Sequence, residues 1–464
     1  MLSLMSGHAD ALERIDAVLL ALGPAQAVDD ALRIEQRAYS FQVRSQALNG
    51  LGCVDDGLAA AESALASGGL TAAQQGRLLH SMSYSHFQRG DPAAAMPCAK
   101  RSLALWQSIG QRRSLARAHG NLGLTAYMLG HIGEGRREMN AALQMAQDMR
   151  MHELKRELLL NLAYIDLHEG APAAALQTLA AAYDSAPGFT QQDHPILILG
   201  MQVHAHAHRG ELGQALACAE DAHRRATALG GASALADCAS MALDLTVDIG
   251  DFNFADRLVA SLPVRVAGVP NYLRVKLAFN LVHLALARGR LDDAARELAA
   301  VRPVAELVQP YDRGYAALRH AELVLARVEA SQGADAASAA LALLDRWQPE
   351  TSHVEAVAQM QAARLRAHAL QAAGGLDADA SLGAAVELAC ALLADPRTPA
   401  LAALALRRAL MALAPVLPEV GLAQRLRTQQ ATHVSRMAAE LADRPALRVC
   451  FVDRWKGVAP RLQR

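Results

Sequence analysis

One glycine recurs along this chain at a near-constant interval, and that period restricts the fold more than any other property. It stands at Gly52, Gly90, Gly130, Gly170, Gly210, Gly250 and Gly289, with gaps of 38, 40, 40, 40, 40 and 39 residues. A fixed period of roughly 20–50 residues is the signature of stacked supersecondary units. Five positions after each glycine comes a small residue: Gly57, Ala95, Gly135, Ala175, Ala215, Ala255 and Ala294. Nine after it stands an apolar or small one, such as Ala61, Met139, Leu179 or Leu298. Steps of four keep one helix face in register, so each glycine closes one helix in a left-handed cap and a second helix follows it. Small residues after the turn let the two helices approach closely. A lone hairpin of this kind cannot bury its own apolar face, so neighbouring units must stack.

Composition agrees with this reading. The chain is 52% hydrophobic but only 4% aromatic, and β-branched runs that would favour a sheet are nearly absent. Its 464 residues would make about three ordinary domains; the repeat joins them into one array. The formal net charge of −1 offers no footprint for nucleic acid or an anionic membrane. No apolar run is long enough to span a bilayer, and Asp10 and Glu13 interrupt any leader-like segment, so a soluble cytoplasmic protein is expected. The six cysteines form no Cys-x-x-Cys pair, sit in apolar helical contexts, and are expected to be buried and reduced. There is no phosphate-binding loop, no Gly-x-Ser-x-Gly elbow and no His-Glu-x-x-His, so neither catalysis nor a cofactor is expected.

The segment Asn121-Leu122-Gly123, then Tyr127, Leu129-Gly130, Met139 and Ala142-Leu143, resembles the tetratricopeptide repeat signature. Asn161-Leu162-Ala163, followed by Gly170, Ala175 and Pro187, is a second instance. The period near 40 is similar to the extended variant in kinesin light chains and bacterial peptide-pheromone receptors. The resemblance implies an all-α, right-handed superhelix of about 8–11 hairpins, whose first helices line a concave groove that takes a protein or peptide. Four regions are expected: an N-terminal capping helix (1–29), the core solenoid (30–306), degenerate repeats (307–395) and C-terminal capping helices with a basic tail (396–464). Gly333 and Gly374-Gly375 mark two further turns, whereas Pro399, Pro415 and Pro418 break the register. The basic segment from Asp443 to Arg464 is either a solvated tail or a docking peptide.

Counting back from each turn glycine reads the groove in columns. Thirteen, nine, six and two residues before it fall on one helix face. The columns hold Tyr39, Arg77 and Arg117; Asn121, Asn161 and Asn280; Tyr84, Tyr164, His204, Asp244 and His283; and His168, His208 and Asp248. Three readings follow. In peptide-binding relatives an Asn at the first of the three signature positions pairs with the ligand backbone, because an amide both donates and accepts; the same Asn could instead cap a helix or bridge repeats. Arg77, His80, Tyr84, Phe87, Arg117 and Tyr127 form an Arg/aromatic cluster suited to an acidic or aromatic peptide, unless the arginines pair with rim acids. His168, His204, His208, Asp244 and Asp248 make a patch that could take a divalent ion, or a polar stretch in which the aspartates stabilise protonated histidines. Asp237, Asp244 and Asp248 argue against RNA. The expectation is a non-catalytic regulatory or signalling adaptor of bacterial type. The alternative is the sensory part of a larger system whose cyclase, kinase, ATPase or DNA-binding effector lies elsewhere. Nothing in the pattern specifies an oligomeric state.

Overall fold

The computed structural model describes residues 2–23, 31–50, 53–66, 69–185, 194–262, 271–305, 310–331, 335–345, 354–373, 381–413 and 421–456. Every regular element among them is a helix. A first helix, α1 (Leu2–Leu22), is followed by hairpins α2 (Ala31–Gly50) with α3 (Val54–Ala66), α4 (Ala72–Arg89) with α5 (Pro92–Ile109), α6 (Arg112–Met128) with α7 (Ile132–Asp148), and α8 (His152–His168) with α9 (Pro172–Tyr183). Next come α10 (His194–Arg209) with α11 (Leu212–Leu229), α12 (Ala232–Ile249) with α13 (Phe252–Ser261), and α14 (Asn271–Ala287) with α15 (Leu291–Ala305). The last hairpins are α16 (Pro310–Ser331) with α17 (Asp335–Asp345), α18 (Val354–Ala373) with α19 (Ser381–Ala394), and α20 (Ala400–Leu413) with α21 (Leu422–Ala439). A single helix, α22 (Pro445–Trp455), ends the described chain.

The turn glycines adopt the backbone expected of them. Gly90, Gly130, Gly170, Gly210, Gly250 and Gly289 all have positive φ, between 70° and 84°. In that region a Cβ meets the following carbonyl, so glycine is the inexpensive choice. Gly52, Gly333, Gly374, Gly375, Pro187 and Pro270 lie outside the described residues. Close approach within a hairpin is equally specific. A Cβ on Gly123 would stand 2.9 Å from the Gly135 carbonyl oxygen, and one on Gly135 only 2.8 Å from that of Gly123. The Leu-Gly step of α6 and the small residue five places after the turn are thus two halves of one contact.

Each even-numbered helix from α2 to α20 packs on the next even-numbered one, while the odd-numbered helices pack mainly on their chain neighbours. This makes an inner layer and an outer layer, an all-α solenoid of hairpins. The coil also returns on itself. Helix α4 touches α14, α10 touches α20, and α12 touches α22. Each pair is ten helices apart, so the inner layer meets itself again after five hairpins.

The C-terminal unit is built into that return. Arg397 abuts the turn at Gly170, Ala400 and Met437 the turn at Gly210, and Cys450 the turn at Gly250. Leu404, Met437, Phe451 and Trp455 share one buried core with Val203, Leu243 and Phe254 of the central hairpins. Arg444 clasps Glu220 with two parallel hydrogen bonds of 2.6 and 2.8 Å. Of the two readings of the basic segment, Asp443–Lys456 does not follow the solvated one: most of it is a helix docked on its own solenoid. Its apolar residues recur at Leu447, Phe451 and Trp455, four apart, and this one stripe holds it down. The cysteines also depart from expectation. Only Cys238 is buried; Cys53, Cys390 and Cys450 are exposed, and all six are free thiols. Alanine-rich helices carry apolar neighbours on every face, so an apolar context does not report burial here. No helix among the described residues is long and apolar enough to cross a membrane.

Candidate functional site: a groove that ends in a polar chamber

The N-terminal part of the inner face is the more open. Tyr84 is 45% exposed and lies against half-buried Phe87 with ring centroids 6.2 Å apart and planes 26° apart. Gln88 donates its amide to the Tyr84 hydroxyl at 2.7 Å. Arg77 is half-buried and Arg117 exposed on the next inner helix, while Tyr39 stands exposed on α2. Burial, helped by the Arg117 charge, pushes the His80 pKa down to about 4, so this histidine is neutral beside the arginine.

The three asparagines of the signature column separate into two kinds. Asn280 is buried, and its amide donates to the Ser240 carbonyl one hairpin away at 2.9 Å. Asn121 and Asn161 are only half-buried, and neither side-chain amide has a hydrogen-bond partner among the described residues. One inter-repeat amide bridge went unpredicted: Asn49, which donates to Ser85 Oγ at 2.8 Å.

Beyond Asn161 the inner face carries a cluster of rings. Tyr127 and Tyr164 meet edge to face at 6.0 Å, Tyr164 and His168 lie 4.5 Å apart, and the Tyr127 hydroxyl is hydrogen-bonded to His168 Nδ1. Lys276 reaches across from α14 to stand 5.8 Å over the Tyr164 ring. His168 thus belongs to an aromatic cluster and is separated from the other members of the His/Asp patch.

Those other members line a cavity of about 360 Å³ enclosed by α10, α12, α14, α16 and α18 and covered by α20 and α22. His204, His208, Asp244, Asp248 and His283 come from the predicted columns. His283 Nδ1 donates to Asp244 Oδ1 at 2.8 Å, and its Nε2 is 3.9 Å from Asp248. Buried Arg319 bonds Glu322 at 2.7 Å and lies 3.6 Å from Asp244. Burial opposes ionisation of Asp244, but the His283 hydrogen bond and the charges around it win and hold its pKa below the usual carboxylate range. Burial raises the pKa of Asp248, which lacks a close partner. Glu355 is exposed to the cavity solvent and, among the described residues, is bonded only by the Gln359 amide at 3.2 Å. Burial in the walls, with the charges of Asp244 and Asp248, pushes its pKa up to about 7. His204 and His208 are both depressed to about 4, by burial first. The aspartates therefore pair with His283 and Arg319 and do not stabilise protonated His204 or His208. Among the described residues no three His, Cys, Asp or Glu side chains converge at metal-ligand spacing.

The sequence columns missed Arg319, Glu322, Glu355, Gln359, Arg408, Arg454 and Trp455 of this chamber. They lie past Gly289, where the regular period of the turn glycines, and with it the column count, stops. One signal was present: Glu355, Gln359 and Arg366 share a face of α18 among alanines. No protein-family model matches the chain, and no curated protein matches it.

Proposed function

We propose that this chain is a non-catalytic binding protein of the tetratricopeptide type, taking an extended peptide or protein segment along the N-terminal half of its groove. The observation that carries this reading is the contrast within one column. Asn280 spends its amide on a neighbouring repeat, whereas Asn121 and Asn161 hold unpartnered amides on the inner face, one hairpin apart. An amide that donates and accepts at each repeat suits the backbone of an extended chain. Tyr84 with Phe87, and Arg77 with Arg117, supply aromatic and cationic anchors beside them and favour an acidic or aromatic segment. A regulatory or signalling adaptor fits this chemistry. The reading as a sensor module for a separate effector draws support from the enclosed chamber, which a plain scaffold has no need of.

The test is a peptide array weighted toward acidic and aromatic sequences, followed by titration of the best binder. Removing both amides should cost about 2 kcal/mol, or roughly 30-fold in Kd, at unchanged helicity. Undiminished binding by the Asn121→Ala/Asn161→Ala double variant would remove this reading.

A further inference from the structure

The chamber under α20 and α22 has more polar groups than its internal bonds use, and they are of both signs. On the accepting side, Glu355 has no ion-pair partner among the described residues, and Asp248 has only His283 Nε2, at 3.9 Å. On the donating side, the guanidinium of Arg454 makes no ion pair among the described residues although it lines the chamber, and its Nε and the ring nitrogen His204 Nε2 are buried in the chamber wall without partners. Unmet buried polar groups are uncommon in folded proteins, and a cavity that carries unpaired groups of both signs on its wall is suited to a ligand that bonds to both. We propose that this chamber binds a small zwitterion, of free-amino-acid to dipeptide size, through an ammonium group held by Glu355 and Asp248 and a carboxylate held by Arg454 and His204.

Size, charge and shape each narrow the choice. About 360 Å³ lies at the small end of ligand pockets, which run from roughly 300 to 1,000 Å³. A lone anion would face the carboxylates of Asp244, Asp248, Glu322 and Glu355 and a lone amine the guanidiniums of Arg319, Arg366, Arg408 and Arg454, so a ligand of both signs suits this lining best. On the C-terminal side α22 lies over the inner helices, with Trp455 bonded to the Asp248 carbonyl at 2.7 Å, which favours a short ligand over a long peptide. Between the charged groups the wall is small and apolar, with Ala207, Ala287, Ala363 and Ala405, which leaves room for a short side chain.

This site stands apart from the peptide groove, so the two readings fail separately. The experiment is calorimetric titration of the full chain with each of the twenty free amino acids, glycylglycine and alanylalanine, with ethylamine and acetate as single-charge controls. At least one zwitterion should bind saturably at one site per chain. Its N-acetyl and amide derivatives should bind at least tenfold more weakly, as should the zwitterion to Glu355→Gln and to Arg454→Gln. Circular dichroism checks that both variants fold, and Asn121→Ala/Asn161→Ala should bind the zwitterion normally. No saturable heat from any probe overturns the proposal, and so does equal binding of the N-acetyl derivative or unchanged binding by both chamber variants.

Discussion

Replacing Trp455 by alanine should release α22 from the solenoid while leaving the hairpins folded. Trp455 is 3% exposed, donates Nε1–H to the Asp248 carbonyl at 2.7 Å and carries the Arg408 guanidinium 4.7 Å above its ring. Truncation of a buried aromatic costs about 3–5 kcal/mol, the lost hydrogen bond included. Helix α22 has 11 residues, too few to stay helical alone in water, so undocking and melting are one event. Its remaining attachments include buried Phe451, partly buried Leu447 and Val452, side-chain hydrogen bonds from Arg408 and Gln430 to the last carbonyls, and the clasp of Arg444 on Glu220, an ion pair worth about 1 kcal/mol or less. The open population of α22 should therefore rise by about two to three and a half orders of magnitude. Hydrogen exchange of the Pro445–Trp455 amides, measured by mass spectrometry under conditions where exchange reports opening free energy, reads that factor directly. Trp455→Phe keeps most of the apolar surface and loses the Nε1 donor, so it should fall between wild type and alanine. If α22 exchanges at the wild-type rate in Trp455→Ala, this residue does not anchor the helix and the cover over the chamber is held some other way. If every hairpin speeds up equally, the C-terminal unit is part of one global unfolding unit and the docking argument fails.

Three further outcomes are expected. Gly123→Ala should destabilise by about 1–2 kcal/mol, because overpacking against the Gly135 backbone outweighs the gain in helix propensity, whereas Gly133→Ala, with open space around its Cβ, should be neutral or slightly stabilising; paired urea midpoints decide this. Arg150, the one non-glycine residue of positive φ among those described, at 52°, should become less strained as glycine, raising the urea midpoint by the equivalent of up to about 1 kcal/mol; a lowered midpoint would argue against it. The Glu355 carboxyl, raised to about 7 in the fold, binds its proton more tightly there than in the unfolded chain, so its contribution is present at low pH and is lost as pH rises through 7. Glu355→Gln should thus raise the melting temperature at pH 8 and leave it nearly unchanged at pH 5, by an amount on the order of 1 kcal/mol once solvent in the cavity is allowed for. A shift of equal size at both values would contradict this origin.

The period of the turn glycines made the hairpins from Gly90 to Gly289 legible, because a positive φ and a close helix approach each demand a particular residue type at a fixed place. The same ruler located His204, Asp244, Asp248 and His283 on one face, and they do line one cavity. It could not locate Arg319, Glu355 or Arg454, since past Gly289 the regular spacing of the turn glycines is lost. Nor could it foresee that His168 turns to Tyr127 and Tyr164: residues in adjacent columns are equally close by counting, and side-chain packing chooses between them. The cysteines were misjudged for a related reason, as helices rich in alanine look apolar on all sides.

The loss of the glycine code and the existence of the chamber have one physical cause. A strict repeat extends without limit, each hairpin offering the next the same surface. This solenoid returns on itself after five hairpins, so α20 and α22 meet α10 and α12 as well as their chain neighbours. A segment in that place must satisfy two surfaces at once. Ala400 and Cys450 meet the turns at Gly210 and Gly250, where the absence of side chains gives them room. Phe451 and Trp455 fill the central core, Arg408 stacks on Trp455, and Arg454 brings its charge near Asp248 of α12. None of these roles exists in a mid-array repeat, so none of its residues could be kept. The turn glycines that shape the repeats are thus also the seats of the unit that closes the groove, and bulk added there should loosen the chamber before it loosens the hairpin.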